Sequence, residues 1–208
     1  MTGSKAQIER GQRQLARLET LVDCVFALVI VFLARDIPLP GDIGVTDLDQ
    51  YFSAQTEALV ASVIGLTVVL TYWFQSNVLY GNLVRTDSWH ALAAIAQIFM
   101  VLLYLLSVGL GLDLGNDSAL LALQSLTAML IGFFAAAGWW YASYKNRLLS
   151  NELSPAEIGA LKIRVLAEPA TAGLTLVLAF IDPTLWELGW LAYPLIARLL
   201  SRVGIGAA

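Results

Sequence analysis

Arg17-Leu-Glu-Thr-Leu-Val-Asp23 runs directly into Cys24-Val-Phe-Ala-Leu-Val-Ile-Val-Phe-Leu-Ala34, and Arg35 closes the apolar run. At the helical rise of about 1.5 Å per residue, Arg17 and Arg35 stand about 27 Å apart, close to the hydrocarbon thickness of a bilayer. Asp23 then falls about 9 Å inside the level of Arg17. A carboxylate at that depth costs several kcal/mol unless it faces protein or water. The segment therefore reads as a membrane helix internal to an assembly, with Asp23 as a candidate functional residue.

The rest of the chain agrees with a membrane setting. Hydrophobic residues make up 58% of the 208 positions and charged residues 13%, too apolar a balance for a soluble domain of this length. The lipid bilayer is thus the first expected partner. Cys24 is the sole cysteine and His90 the sole histidine. That excludes an intrachain disulfide and a cysteine metal cluster, and speaks against a zinc or haem enzyme. No enzymatic activity, cofactor or nucleic-acid partner is expected, and no metal beyond ions in transit. The polar start, MTGSKAQIERGQRQLA, does not resemble a cleavable signal peptide.

Charge-free runs at Ala58–Val84, Ser88–Leu112 and Ser118–Tyr144 each exceed the roughly 20 residues needed to cross. Ser154-Pro-Ala-Glu157 carries a capping serine, proline at the first helical position and glutamate at the third. It opens a fifth segment that Asp182-Pro183 ends. The expected fold is an all-α polytopic membrane protein forming one domain, 1–208, with six helices at about 18–37, 56–79, 89–112, 118–144, 155–181 and 184–200. Every Lys and Arg except Arg35 then falls on one side, and Asp36, Asp42, Asp47, Asp49, Asp113, Asp117, Asp182 and Glu187 on the other. The positive-inside rule makes the basic side, with both termini, cytoplasmic. The acidic, Gly/Pro-punctuated connector at about 38–53 is expected to form an outer cap.

Leu21, Cys24, Leu28, Val31 and Arg35 recur at alternating intervals of three and four and so share one stripe of the first helix, while Asp23 points elsewhere. Two readings stand: an ordinary helix-packing seam, or the lining of a pore built from several copies, with Leu28 as a constriction that gates by dewetting.

The order Arg17-x-x-x-Leu21-Val22-Asp23 resembles the RxxxFSD signature that opens the first of six helices in the transmembrane protein 175 family of potassium channels. Leu21 and Val22 stand at the Phe and Ser positions. Val25-Phe-Ala-Leu-Val-Ile30 and Arg35-Asp36-Ile37 are also similar to that family's first helix, and its prokaryotic members carry one six-helix unit per chain. The resemblance implies a homotetramer in a prokaryotic plasma membrane, with four first helices around a potassium path and no TVGYG filter. It places the main constriction at Leu28, the next layer at Val31 or Phe32, and the outer layer at Arg35, with Cys24 on the same stripe. Some relatives have a threonine near Val31, absent here, and four Arg35 side chains at an outer mouth would repel cations unless each turns to an acid such as Asp36.

Arg17 and Asp23 lie on different faces, so each is expected to bond to another helix. Candidate partners are Trp73 and Asn77 late in the second helix and Trp89 and His90 at the start of the third. The family's histidine near the end of the second helix is replaced by Ser76 and Asn77. The network of Arg17, Asp23, Trp73, Asn77 and His90 is read as structural. Glu168-Pro169 is expected to pair with Arg164, one turn earlier. Gln97, Thr67, Thr71 and Thr175 are expected to form interhelical hydrogen bonds. The leading function is a potassium-preferring cation channel. The alternative is a small proton-coupled secondary transporter using Asp23 or Glu168, against which the lack of an inverted repeat and of a second broken helix counts.

Overall fold

Aspartates set the starts of four helices. Asp47, Asp87, Asp117 and Asp182 each stand in extended backbone and accept hydrogen bonds from N–H groups of the turn that follows, satisfying donors that a helix leaves open. A computed structural model describes residues 2–35, 37, 39, 44, 47–115, 117–150 and 152–206. Its helices are α1 (Thr2–Arg35), α2 (Leu48–Tyr80), α3 (Ser88–Leu114), α4 (Ser118–Ser143), α5 (Pro155–Arg164), α6 (Ala167–Leu178), α7 (Pro183–Trp190) and α8 (Tyr193–Gly206).

Three of these runs are long and apolar enough to cross a membrane: Ala58–Tyr80, Ser88–Leu114 and Ser118–Asn146. Glu19 and Asp23, with Arg17 and Arg35 at either end, set α1 apart from them. Two helices extend further than the sequence suggests. The 34 residues of α1 span about 51 Å, so its first turns stand beyond any hydrocarbon layer, where Glu9 and Arg13 pair at 4.0 Å. Because Asp47 caps α2, the second half of the presumed outer cap is helix.

The fifth and sixth segments, each expected as one helix, are each in two pieces, and proline explains both breaks. Pro169 has no N–H for the carbonyl of Val165 four residues earlier. The chain turns at Val165 and Leu166, and the side-chain Nε2 of Gln75 donates to that carbonyl at 3.3 Å. Pro194 likewise leaves the carbonyl of Trp190 without its helical donor, and the chain turns at Leu191 and Ala192. Gly132 on α4 receives the Pro169 ring: a Cβ at 132 would stand 2.6 Å from Pro169 Cδ.

Buried side chains form one main cluster. From α1 come Leu15, Leu18, Val22, Phe26, Val29 and Leu33, which pack against residues of α2, α3 and α4 such as Val69, Tyr72, Val101, Tyr104, Ile131 and Trp139. Buried polar groups link helices within it, Tyr72 Oη donating to Ala128 O at 2.6 Å and Gln97 Nε2 to Ser76 Oγ at 3.1 Å; at a second, smaller cluster Trp186 Nε1 donates to Ser125 Oγ at 2.8 Å, and the Ser125 and Thr175 hydroxyls lie 3.0 Å apart. Thr67 and Thr71 instead donate to Val63 O and Thr67 O of their own helix.

One end of the bundle is stitched together through backbone. Thr86 N donates to Gly11 O (3.2 Å), Val84 N to Leu148 O (2.9 Å) and Ser150 N to Asn82 O (3.1 Å), and Arg85 Nη2 donates to Arg147 O (3.0 Å). The basic first turns of α1, the α2–α3 connection and the α4–α5 connection therefore meet at the same end, which also gathers Arg10, Arg13, Arg85, Lys145 and Arg147.

Candidate functional site

α1 has two sharply different faces. Phe26 and Val29 are fully buried, with Val22 and Leu33 nearly so. On the other side Leu21, Cys24, Leu28, Val31, Phe32 and Arg35 are all exposed. Leu28 is 56% exposed, Val31 61% and Phe32 43%, which puts Val31 nearer the middle of the open face. At 100° per residue, Arg17 and Arg35 are separated by whole turns, so both lie on this face and bracket the apolar stripe. Within one subunit the stripe is no packing seam; the seam is the opposite face.

Asp23 is turned off the stripe. Trp73 Nε1 of α2 donates to its Oδ1 at 3.0 Å, so two of the residues expected in a motif network meet. The others do not join them. Arg17 is exposed and, among the described residues, makes no hydrogen bond or ion pair within the chain; the Asn77 side chain is exposed as well. His90 belongs to a separate group: its Nδ1 lies 2.9 Å from Thr86 Oγ1, and its ring meets Tyr80 edge-on at 5.8 Å. Trp89, the remaining candidate, is 70% exposed. Arg35 is exposed with no ion pair among the described residues, and its suggested partner Asp36 lies outside them.

Removing the Trp73 donor leaves the Asp23 carboxylate without its partner, and hydrogen bonds to charged groups contribute about 1.5–3 kcal/mol. Trp73→Phe is therefore expected to lower the thermal unfolding temperature in detergent micelles, and adding Asp23→Asn to recover part of the loss. Equal unfolding temperatures for wild type and Trp73→Phe would show the bond to be idle.

Two groups were not foreseen. Asp87 is a hub: its Oδ1 accepts from Trp89 N and His90 N, and its Oδ2 from Tyr141 Oη at 2.8 Å. Its place just before an apolar run was the available signal. Glu168, expected beside Arg164, is instead buried and held by the Gln75 amide and by Tyr193 Oη, which donates at 2.9 Å. No ion pair to Arg164 forms. The missing N–H of Pro169 was the clue that a polar side chain from another helix must enter there.

The family described as the endosomal/lysosomal potassium channel TMEM175 matches residues 17–106, beginning at Arg17 and taking in the exposed stripe, Asp23 and Trp73. A curated potassium channel of Streptomyces collinus is 27% identical over 178 residues, covering 78% of this chain and 83% of that protein. Over residues 17–106 the chain is similar to the TMEM175 family. TMEM175 proteins also supply the structural neighbours. A lysosomal potassium-selective channel TMEM175 homolog from Chamaesiphon minutus shares the fold with a TM-score of 0.70 at 16% identity, over 93% of this chain and 99% of that one. A single-substitution variant of the potassium channel MtTMEM175, crystallised with a nanobody–MBP fusion, gives 0.61 at 20% identity, over 90% and 92%.

Proposed function

We propose that the chain is a potassium-preferring cation channel of a prokaryotic plasma membrane, a homotetramer in which four α1 helices surround the ion path. Both termini are cytoplasmic, and the pore has no TVGYG filter; no such sequence occurs in the chain. The observation that carries this reading is the continuous exposed face of α1, apolar from Leu21 through Leu28 to Val31 and bracketed by Arg17 and Arg35. Asp23, the charge that would otherwise interrupt it, is engaged by Trp73. Leu28 forms the constriction, Val31 the next layer and Arg35 the outer rim, while Cys24 lines the approach from the cytoplasmic end. Phe32 stands at the edge of the stripe, towards the neighbouring subunit. Similarity to a potassium-channel family over residues 17–106 supports the reading, as does the meeting of three basic segments at one end of the bundle. An even number of crossings follows if α5–α6 and α7–α8 each count as one interrupted crossing.

The reading is tested by native mass measurement of the purified protein together with potassium efflux from proteoliposomes. Four chains per particle and a potassium-dependent efflux are expected; a monomer, or liposomes no leakier than protein-free ones, contradicts it.

The proton-coupled transporter keeps one specific observation in its favour. Two broken helices, not one, flank the buried Glu168, and discontinuous helices are where transporters hold coupling ions. Acidification of liposomes under a proton gradient that is abolished in Glu168→Gln and unaltered in Leu28→Ala favours the transporter, whereas proton entry that persists in Glu168→Gln and rises in Leu28→Ala favours the channel.

A further inference from the structure

A cavity of about 280 Å³ lies between α2, α6, α7 and α8, away from the exposed face of α1, and Glu168 forms part of its wall. Glu168 and Glu187 line it and no Lys, Arg or His does. The carboxylate of Glu168 is buried with two neutral donors, Gln75 and Tyr193, and no ion pair. Arg164 lines a second cavity of about 380 Å³ that also reaches Glu168. Arg164 acts on Glu168 from beyond ion-pair distance, and a buried carboxylate whose hydrogen-bond partners are all neutral still draws a positively charged group.

The hydroxyls of the wall sharpen the chemistry. Thr67, Thr71 and Thr171 each donate to a carbonyl of their own helix, Tyr72 donates to Ala128 O, and Tyr193 to Glu168. With their protons committed, these oxygens present only lone pairs. Trp190 is the exception, with a buried indole N–H that has no partner. The rings of Tyr72, Trp190 and Tyr193 add the faces that attract a desolvated cation, and the remaining lining, including Val63, Ile64 and Leu191, is apolar. An alkali ion needs several oxygens converging on one point. This wall instead offers the carboxylates of Glu168 and Glu187 on two different helices, scattered acceptors and aromatic and aliphatic surface, a setting that suits a protonated amine with an apolar body.

We propose that this cavity is a binding site for a small protonated amine, its ammonium group on Glu168 and its apolar body between α2 and the second halves of the broken helices. The site is independent of the pore reading, since none of its residues lies on α1.

The test is equilibrium binding of radiolabelled benzylamine, protonated at neutral pH, to the protein in nanodiscs, with empty nanodiscs subtracted. Saturable binding is expected, weakened roughly tenfold or more in Glu168→Gln through loss of the charge-assisted contact and unchanged in Glu157→Gln, an exposed acid outside the cavity. If Glu168→Gln does not purify as a folded particle, Thr71→Val, which deletes one acceptor while keeping its shape, should weaken binding by a smaller factor. Binding no greater than to empty nanodiscs, or equal binding by both variants and wild type, overturns the proposal. So does competition by neutral benzyl alcohol as strong as by unlabelled benzylamine, which would mark a merely apolar pocket. Displacement by potassium chloride but not by sodium chloride would identify an alkali-ion site and equally overturn it.

Discussion

Potassium flux through proteoliposomes is expected to rise several-fold when Leu28 is replaced by alanine. Leu28 is 56% exposed in the subunit, so truncating it removes little packing inside the fold. In the proposed tetramer the same truncation, repeated in four subunits, would widen the narrowest apolar ring and lower the barrier that dewetting places on the ion. Because the substitution leaves the buried face of α1 untouched, the unfolding temperature should stay close to wild type. Flux and stability are thus expected to separate at this position. A Leu28→Ala protein with unchanged flux, or one that is simply unfolded, contradicts the assignment.

Phe26→Ala is expected to have the opposite outcome only two residues away. Phe26 is fully buried in the main cluster, and Phe→Ala in cores costs about 3–5 kcal/mol, part transfer and part cavity. Between membrane helices the transfer part shrinks because lipid is as apolar as the core, while the cavity part remains. A loss of about 2 kcal/mol or more is expected, read as a large fall in the unfolding temperature in micelles and in the yield of folded particle. Phe32→Ala, the same change on the exposed face of the same helix, should leave the unfolding temperature nearly unaltered. Equal destabilisation by the two would show that the faces of α1 are not distinct.

That contrast indicates what the sequence makes legible. The stripe Leu21, Cys24, Leu28, Val31 and Arg35 follows from helical spacing, and an apolar run this long leaves little freedom in its secondary structure. Spacing alone, however, does not say which of two apolar faces is packed. Leu15, Leu18, Val22, Phe26, Val29 and Leu33 repeat just as regularly, and only the presence of α2 and α3 against them decides. Asp23 meets Trp73, one of the four candidate partners, because the two are polar side chains at matching depth on neighbouring helices. Arg17 was expected to bond within the subunit and does not, since it lies on the open face, whole turns from Arg35.

The breaks in the fifth and sixth segments were half legible. Pro169 and Pro194 each remove a helical donor, yet a proline can kink a membrane helix without ending it if a neighbour supplies the missing bond. Gln75 does reach the freed carbonyl of Val165, but only at the cost of local unwinding, and no sequence spacing fixes that balance. Glu168 moved for a related reason. The turn before Pro169 rotates it inward to Gln75 and Tyr193, away from the expected Arg164.

If the exposed stripe of α1 faces the ion path, Cys24, the only cysteine in the chain and exposed on that stripe, lies where a reagent bound to it would obstruct ions. Potassium flux is measured before and after a cationic methanethiosulfonate reagent is supplied to both faces of the membrane, with the extent of labelling read from intact mass. Labelling of Cys24 is expected to suppress flux in the wild type, while flux in Cys24→Ala is expected to be insensitive to the reagent. Complete labelling of Cys24 with flux unchanged would mean that ions pass elsewhere.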